Sequence, residues 1–286
     1  MIVAESLAEL RVEMKALRRR HRRIAFVPTM GNLHPGHLRL MHEARNHADA
    51  VVASIFVNPL QFGEGEDLEA YPRTPTEDRA ALEEEGVELL FLPPVEAVYP
   101  RGLAAQTRVE VPGLSDILCG AARPGHFRGV TTVVARLLNL VAPQVAVFGK
   151  KDYQQWLIIR LMAADLGLPV EIVGVETVRE PDGLAMSSRN RYLAPEERAV
   201  APKLYRTLRD LRERLLQGAP VSGELEAEAM EQLARAGFRP EYVSVRRQRD
   251  LGEASAADRE LVILAAAWLG RARLIDNIEL NLNGPG

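Results

Sequence analysis

Two histidines three residues apart, His34 and His37, stand in the stretch Phe26-Val-Pro-Thr-Met-Gly-Asn-Leu-His-Pro-Gly-His37, and that spacing lets both rings face one bound group. A histidine pair can donate hydrogen bonds to a phosphate without the flexibility of lysine. The stretch reads as strand, turn and helix. Ile24 to Val27 is a short apolar run and Pro28 ends it; Gly31 and Asn32 permit positive φ, and Pro35 suits a first helical position. Leu38, Met41 and Ala44 then recur at helical spacing. A helix N-terminus offers N–H groups and the positive end of a dipole, so the segment predicts an anion site. One histidine there would read as a solvent-facing cap; the pair after this turn points to chemistry.

Further groups suited to anion chemistry follow along the chain. Gln61 lies just beyond the apolar run Ala50 to Val57, in Asn58-Pro-Leu-Gln-Phe-Gly63, and its amide donates and accepts at once; a turn glutamine in solvent is the alternative. Arg123, His126 and Arg128 sit in a glycine-rich loop before a helix at 130–141, placed either to meet an anion or to decorate a surface loop. Lys150 and Lys151 follow the apolar strand 144–149, with Asp152 a good N-cap and Gln155 three residues on. A lysine beside a triphosphate stabilises charge building at phosphorus, and these are two of only four lysines in the chain. Ser187, Ser188 and Arg189 read as short donors plus a cation, a phosphate clamp, against the alternative of a helix cap. The single cysteine, Cys119, has no evident base beside it and reads as a small buried hydrophobe.

Positioning these groups requires a strand-rich frame. Strand-like runs at 24–27, 50–57, 87–92, 144–149 and 170–175 alternate with helical patterns, including one at 76–85, which predicts an α/β, Rossmann-like, doubly wound parallel sheet. In such a sheet, residues just past the strand ends form the ligand crevice. A short strand is expected at 107–111, and an acidic loop runs over 64–69. From 195 onward two amphipathic helices (196–217 and 223–236) precede strands at 242–245, 261–264 and 273–276, a smaller C-terminal α+β domain. We therefore expect residues 1–178 as the larger domain and 179–286 as the smaller one. A first helix capped by Ser6 carries Leu7, Leu10, Met14 and Leu17, and the basic run 18–23 complements its C-terminus. The chain of 286 residues has 36 basic against 39 acidic residues, a net charge of −3, which argues against a generally nucleic-acid-binding surface. One cysteine excludes an internal disulfide framework, and no stretch approaches the roughly 18 apolar residues of a membrane span, so a cytoplasmic protein is expected.

The motifs Pro28-Thr-Met-Gly-Asn-Leu-His-Pro-Gly-His, Phe56-Val-Asn-Pro-Leu-Gln-Phe-Gly, Tyr71-Pro-Arg-Thr, Arg123-Pro-Gly-His-Phe-Arg-Gly-Val-Thr-Thr, Phe148-Gly-Lys-Lys-Asp-Tyr-Gln-Gln and Met186-Ser-Ser-Arg-Asn occur in order. His-x-Gly-His resembles the nucleotidylyltransferase superfamily signature, and the whole series resembles the pantothenate synthetase (pantoate–β-alanine ligase) family. The resemblance implies an ATP-dependent ligase in which pantoate attacks the α-phosphorus of ATP, and β-alanine then attacks the pantoyl adenylate. It makes residues 1–178 the nucleotide- and pantoate-binding domain, with the Met186-Ser-Ser-Arg phosphate loop at the start of the smaller one. It implies His34, His37 and Lys151 as catalytic groups, with His37 the acid. It implies an ATP site built of Met30, Gly31, Asn32, Leu33, His34, Pro35, Gly36, His37, Gly149, Lys150, Lys151, Asp152, Val178, Met186, Ser187, Ser188 and Arg189. Gln61, Gln155 and Phe62 would bind pantoate, and Gln61 would also border β-alanine. Mg²⁺ follows from ATP chemistry; Glu77 and Asp78 are the candidate ligands, with a helix N-terminus preference for acids as the alternative, and Ala81 stands where some relatives carry a metal-site glutamine. The family likeness also implies a homodimer. Rival readings are an adenylyltransferase of the same superfamily, a non-catalytic nucleotide-binding regulator, and RNA binding through residues 18–23.

Overall fold

The computed structural model describes residues 1–282 apart from 64 and 67, so Glu64 and Asp67 of the acidic loop lie outside the described residues. The chain divides into two compact units, one of residues 1–150 and 155–176, the other of residues 151–154 and 177–286.

In the first unit, β1 (Ile2–Ala4), α1 (Leu7–Arg20), β2 (Ile24–Thr29), α2 (Pro35–His47), β3 (Ala50–Ile55), α3 (Pro75–Glu84), β4 (Leu89–Phe91), α4 (Val95–Val98), α5 (Cys119–Ala122), α6 (His126–Val141), β5 (Val145–Gly149), α7 (Tyr153–Asp165) and β6 (Glu171–Val175) follow in order, with the first two residues of α7 assigned to the other unit. All six strands are parallel, in the order β1-β4-β3-β2-β5-β6. The chain walks outward from β2 through β3 to β4, then crosses to β5 and β6 on the other side. The order therefore reverses between β2 and β5, where doubly wound sheets bind ligands. Strands buried on both faces need continuous apolar runs, which is what β2, β3 and β5 carry. A core of Val27, Met41, Ala44, Val51, Leu82, Leu90 and Val147 joins the sheet to α2 and α3.

Two expectations change in this unit. Pro28 does not end β2: it pairs with Ser54, and the strand runs to Thr29. Pairing with β5 stops at Phe26↔Ala146, so the missing proline N–H falls where β2 borders only β3. The stretch 107–111 is no strand, because the N–H and C=O of Val109 are taken by the hydroxyls of Thr132 and Thr131 on α6. Edge strand β1, only three residues long, was too short for any period to reveal. In the basic run 18–23, Arg18 donates to Val141 O at 2.6 Å at the end of α6, Arg23 pairs with Glu171 at 2.5 Å, and Asp49 accepts from the backbone amides of Arg22 and Arg23. Cys119 is buried, as its surroundings in the sequence suggest.

In the second unit, α8 (Pro195–Val200), α9 (Lys203–Leu216) and α10 (Gly223–Arg235) precede an antiparallel sheet of β7 (Arg239–Arg247), β8 (Glu260–Leu269) and β9 (Ala272–Asn281). The helix expected at 196–217 breaks in two because Pro202 has no N–H for the ladder. Leu204, Leu208 and Leu211 of α9 pack with Leu225 and Leu233 of α10 and with Leu261, Ile263 and Leu274 of the sheet. Among the described residues, no helix is long and apolar enough to cross a membrane.

Candidate active site

Between β2 and α2 the backbone is set by a carboxylate from another helix. Thr29 Oγ1 donates to Ser54 O at 2.8 Å and accepts from Gly31 N–H at 3.2 Å. Gly31 (φ +79) and Asn32 (φ 51) are both left-handed, and an added Cβ at Gly31 would sit 3.0 Å from Asp78 Oδ2. These two residues turn successive amides toward α3: Asn32 N–H donates to Asp78 Oδ2 and Leu33 N–H to Oδ1, each at 2.8 Å, while the Thr74 hydroxyl donates to Oδ1 at 3.1 Å. Asp78 is buried, so these charge-assisted bonds are strong. Asp78 thus anchors the loop, and Glu77 lies exposed on α3. Among the described residues, no group of three or more His, Cys, Asp or Glu side chains is placed to hold a metal.

His34 is the N-cap of α2 and His37 its third residue. His34 Nδ1 accepts from Gly36 N–H at 3.1 Å, and His37 Nδ1 accepts from His34 N–H at 3.3 Å. With both Nδ1 atoms acting as acceptors, the ring proton is assigned to Nε2 on each. The ring centroids are 4.0 Å apart. The cap therefore fixes the tautomer, which makes Nε2–H the donor on both rings.

Gln61 is held by four elements of the first unit. Buried Asn58 caps the 3-10 turn Pro59–Gln61; its Nδ2 donates to Gln61 Oε1 and to Gly129 O, both at 3.1 Å, and its Oδ1 accepts from Tyr99 OH at 2.7 Å. Burial pushes the Tyr99 hydroxyl well above its ordinary pKa, which keeps it a donor. Gly129 lets α6 touch the turn, since a Cβ there would meet Leu60 O at 2.2 Å. On the other flank, Arg123 Nη1 donates to His126 Nε2 at 3.0 Å, so the His126 proton is on Nδ1, which donates to Gln61 O at 2.8 Å. Arg123 also grips Glu66 bidentately at 2.7 and 2.6 Å. Burial alone would raise the Glu66 carboxyl, but the Arg123 bonds and charge outweigh it and hold it below its ordinary value. The basic loop thus orients Gln61 internally. Phe62 makes an edge contact with Tyr71, centroids 5.9 Å apart.

After Gly149, residues Lys150–Asp152 form one 3-10 turn, and the two lysines part company. Lys150 Nζ pairs with Glu176 at 2.7 Å and lies 5.4 Å from the Trp156 ring centroid, all within the first unit. Lys151 belongs to the second unit, its carbonyl accepting from Asn277 Nδ2 at 2.9 Å and its Nζ 3.6 Å from Asp152 Oδ2. Gln155 is half-buried on α7. In the second unit, Val178 O accepts from Met186 N–H at 3.0 Å, and Arg179 bridges to Ala185. Arg179 forks onto Asp276 at 2.7 and 2.9 Å and stacks 3.5 Å from the Tyr205 ring centroid. Ser187 Oγ accepts from Arg189 N–H at 3.3 Å and so caps the 3-10 turn Ser188–Tyr192. Asp78, Asn58, Tyr99, Gly129 and Asn277 carry roles that spacing did not assign. Gly129, inside an apolar helix, was the one visible signal of close approach.

A family model described as pantoate-beta-alanine ligase matches residues 2–279. The chain is 54% identical over 283 residues to the pantothenate synthetase of Shewanella halifaxensis, covering 99% of this chain and 100% of the relative. It is 54% identical over 285 residues to that of Pseudomonas fluorescens, covering both chains fully. Among solved structures, pantothenate synthetase from Thermus thermophilus superposes with TM-score 0.90 at 51% identity, over 97% of this chain and 99% of that one. The Francisella tularensis pantoate-beta-alanine ligase, complexed with beta-gamma ATP and beta-alanine, superposes with TM-score 0.82 at 33% identity over both full chains. This chain belongs to the pantoate–β-alanine ligase family.

Proposed function

We propose that this protein joins pantoate to β-alanine, converting ATP to AMP and pyrophosphate through a pantoyl adenylate. The observation that carries the site reading is the pair of capping imidazoles, whose Nε2–H donors stand at a helix N-terminus suited to a polyphosphate. In the first half-reaction a pantoate carboxylate oxygen bonds to the α-phosphorus while the bond from that phosphorus to the bridging oxygen breaks, and pyrophosphate leaves with the electron pair. Such a transfer needs positioning and charge neutralisation more than a protein nucleophile. His34 and His37 donate to phosphate oxygens, and Lys151 offsets charge at the reacting phosphorus. Ser187, Ser188 and Arg189 hold the outgoing phosphates; the loop Met30–Leu33, Gly149–Asp152, Val178 and Met186 contact the rest of the nucleotide. Gln61 and Gln155 bind pantoate polar groups, Phe62 covers its methyls, and Gln61 borders β-alanine. In the second half-reaction the neutral β-alanine amine forms the C–N bond at the acyl carbon and gives up a proton, while the acyl C–O bond breaks and AMP departs with its electron pair.

Mg²⁺ enters as the counter-ion of ATP rather than in a protein cage, since Asp78 is committed to the loop amides and Glu77 belongs to no cluster of metal-ligating side chains among the described residues. Family likeness further supports a homodimer, which light scattering reads, and the lone buried thiol suits a reducing cytoplasm.

A two-stage assay tests the function: protein with MgATP and D-pantoate first, β-alanine second. We expect pyrophosphate with an enzyme-held acyl adenylate in the first stage, then AMP and pantothenate in the second. His37→Ala should slow the first stage by ~10²- to 10³-fold, the usual loss for a transition-state donor. A stable adenylylated product that ignores β-alanine would sink the ligase reading, and wild-type rates in His37→Ala would remove its role.

A further inference from the structure

The second unit holds two segments assigned to the nucleotide, and two consecutive residues of β9 reach both. Asn277 Nδ2 donates to the carbonyl of Lys151 at 2.9 Å. Asp276 takes the Arg179 fork at 2.7 and 2.9 Å, and Asn277 O accepts from Arg179 Nη2 at 3.2 Å. Asp276 Oδ1 also accepts from the backbone N–H of Asn277 at 2.8 Å. Both are buried, Asp276 on the β9 face that carries Ala272, Leu274 and Leu280 and Asn277 on the opposite face. A buried amide and a buried carboxylate stay in such a strand only when their partners satisfy them, and here the partners are the backbone of Lys151 and the residue after Val178. Two residues on from Lys151, Tyr153 OH donates to Glu279 Oε1 at 3.2 Å, so the turn bearing Lys151 is fixed to β9 at a second point. Lys150, the preceding residue, has its ion pair elsewhere, with Glu176 in the first unit.

We infer that Asn277 is a positioning residue for Lys151, fixing the backbone from which the lysine reaches the reacting phosphorus. A point charge on a flexible stem depends on where its backbone is held, because it has no rigid geometry of its own. The inference rests on the reading of Lys151 as the neutralising group.

The experiment is a double-mutant cycle on steady-state pyrophosphate release, with saturating β-alanine so that the enzyme turns over, using Asn277→Ala, Lys151→Ala and the pair, each protein checked by thermal melting. We expect Asn277→Ala to lower kcat by ~10- to 100-fold, the loss typical of misplacing a catalytic group by a fraction of an ångström to one ångström. The KM for pantoate, whose partners lie elsewhere, should stay within about twofold, since those contacts are independent of the change. The double variant should be no slower than Lys151→Ala alone. Losses that multiply, or an Asn277→Ala enzyme with unchanged kcat, would overturn the positioning role while leaving Lys151 catalytic. A Lys151→Ala enzyme at wild-type rate would overturn the lysine reading itself. If the alanine variant does not fold, Asn277→Asp keeps the side-chain shape but sets an oxygen against the Lys151 carbonyl, and the same cycle is read from it.

Discussion

Replacing Gly129 with alanine isolates the packing that places Gln61. A Cβ at Gly129 would lie 2.2 Å from Leu60 O, 2.5 Å from Leu60 C and 2.7 Å from Gln61 Cα. Real Cβ atoms essentially never come closer than 3.0 Å, so α6 or the Pro59–Gln61 turn must shift by at least 3.0 − 2.2 = 0.8 Å. All three neighbours are backbone atoms, so no rotamer change relieves the clash. Two effects compete. Alanine favours the helix over glycine by about 1 kcal/mol. Overpacking costs about 1–3 kcal/mol, and the shift also strains the Asn58 bond to Gly129 O. The backbone clash puts the cost toward the upper end of that range, and we expect a net loss of up to about 2 kcal/mol in stability. The effect on turnover is larger, because the turn carries Gln61: misplacement approaching 1 Å is worth up to ~10²-fold in rate, or ~2.7 kcal/mol of barrier. The assay is initial pyrophosphate release across a pantoate titration at saturating ATP, with melting followed by circular dichroism. We expect kcat/KM for pantoate to fall by about two orders of magnitude while the protein still melts cooperatively. A variant with wild-type kcat/KM and an equal or higher melting temperature would refute the reasoning, since it would mean that the turn yields freely or that Gln61 does not hold pantoate.

Asp78→Asn sets an NH₂ against one of the two loop amides that now face oxygens at 2.8 Å, which should cost about 1.5–3 kcal/mol and raise the KM for ATP more than that for pantoate. Melting and ATP dependence identical to wild type would remove Asp78 as the loop anchor. Glu66 carries a pH prediction. Its folded carboxyl lies below the ordinary 4.5, so its stabilisation is complete above that pH and is lost as the pH falls through the lower folded value. Wild type should therefore lose more thermal stability on acidification below pH 4.5 than Glu66→Gln does; equal acid sensitivity would show that the Arg123 clasp contributes nothing.

What could be read in the sequence was local. The frame of buried strands and the His34/His37 helix mouth follow from runs and caps that span a few residues, and the histidine cap closes within three positions. The groups that hold the site work at long range: Asp78 is 46 residues from Asn32, Gly129 is 71 from Asn58, and Asn277 is 126 from Lys151. Spacing carries no information about such partners, so Asp78 was weighed for a metal and Arg123 for an anion. Yet some of the long-range contacts left a breach of local pattern. Gly129 sits inside the apolar helix α6, and Asp276 stands among Ala272, Leu274 and Leu280 on one face of β9, whereas Asp78, an acid in the first turn of α3, follows the ordinary preference there. Each breach has a physical cost when isolated, of the order of 1 kcal/mol or more, and persists because a partner elsewhere offsets it. A local breach therefore marks where a tertiary contact must be, while only the fold shows what it touches. The adjacent lysines make the converse point: nothing local separates Lys150 from Lys151, and only the fold shows that the side chain of the first meets Glu176 while the carbonyl of the second meets Asn277.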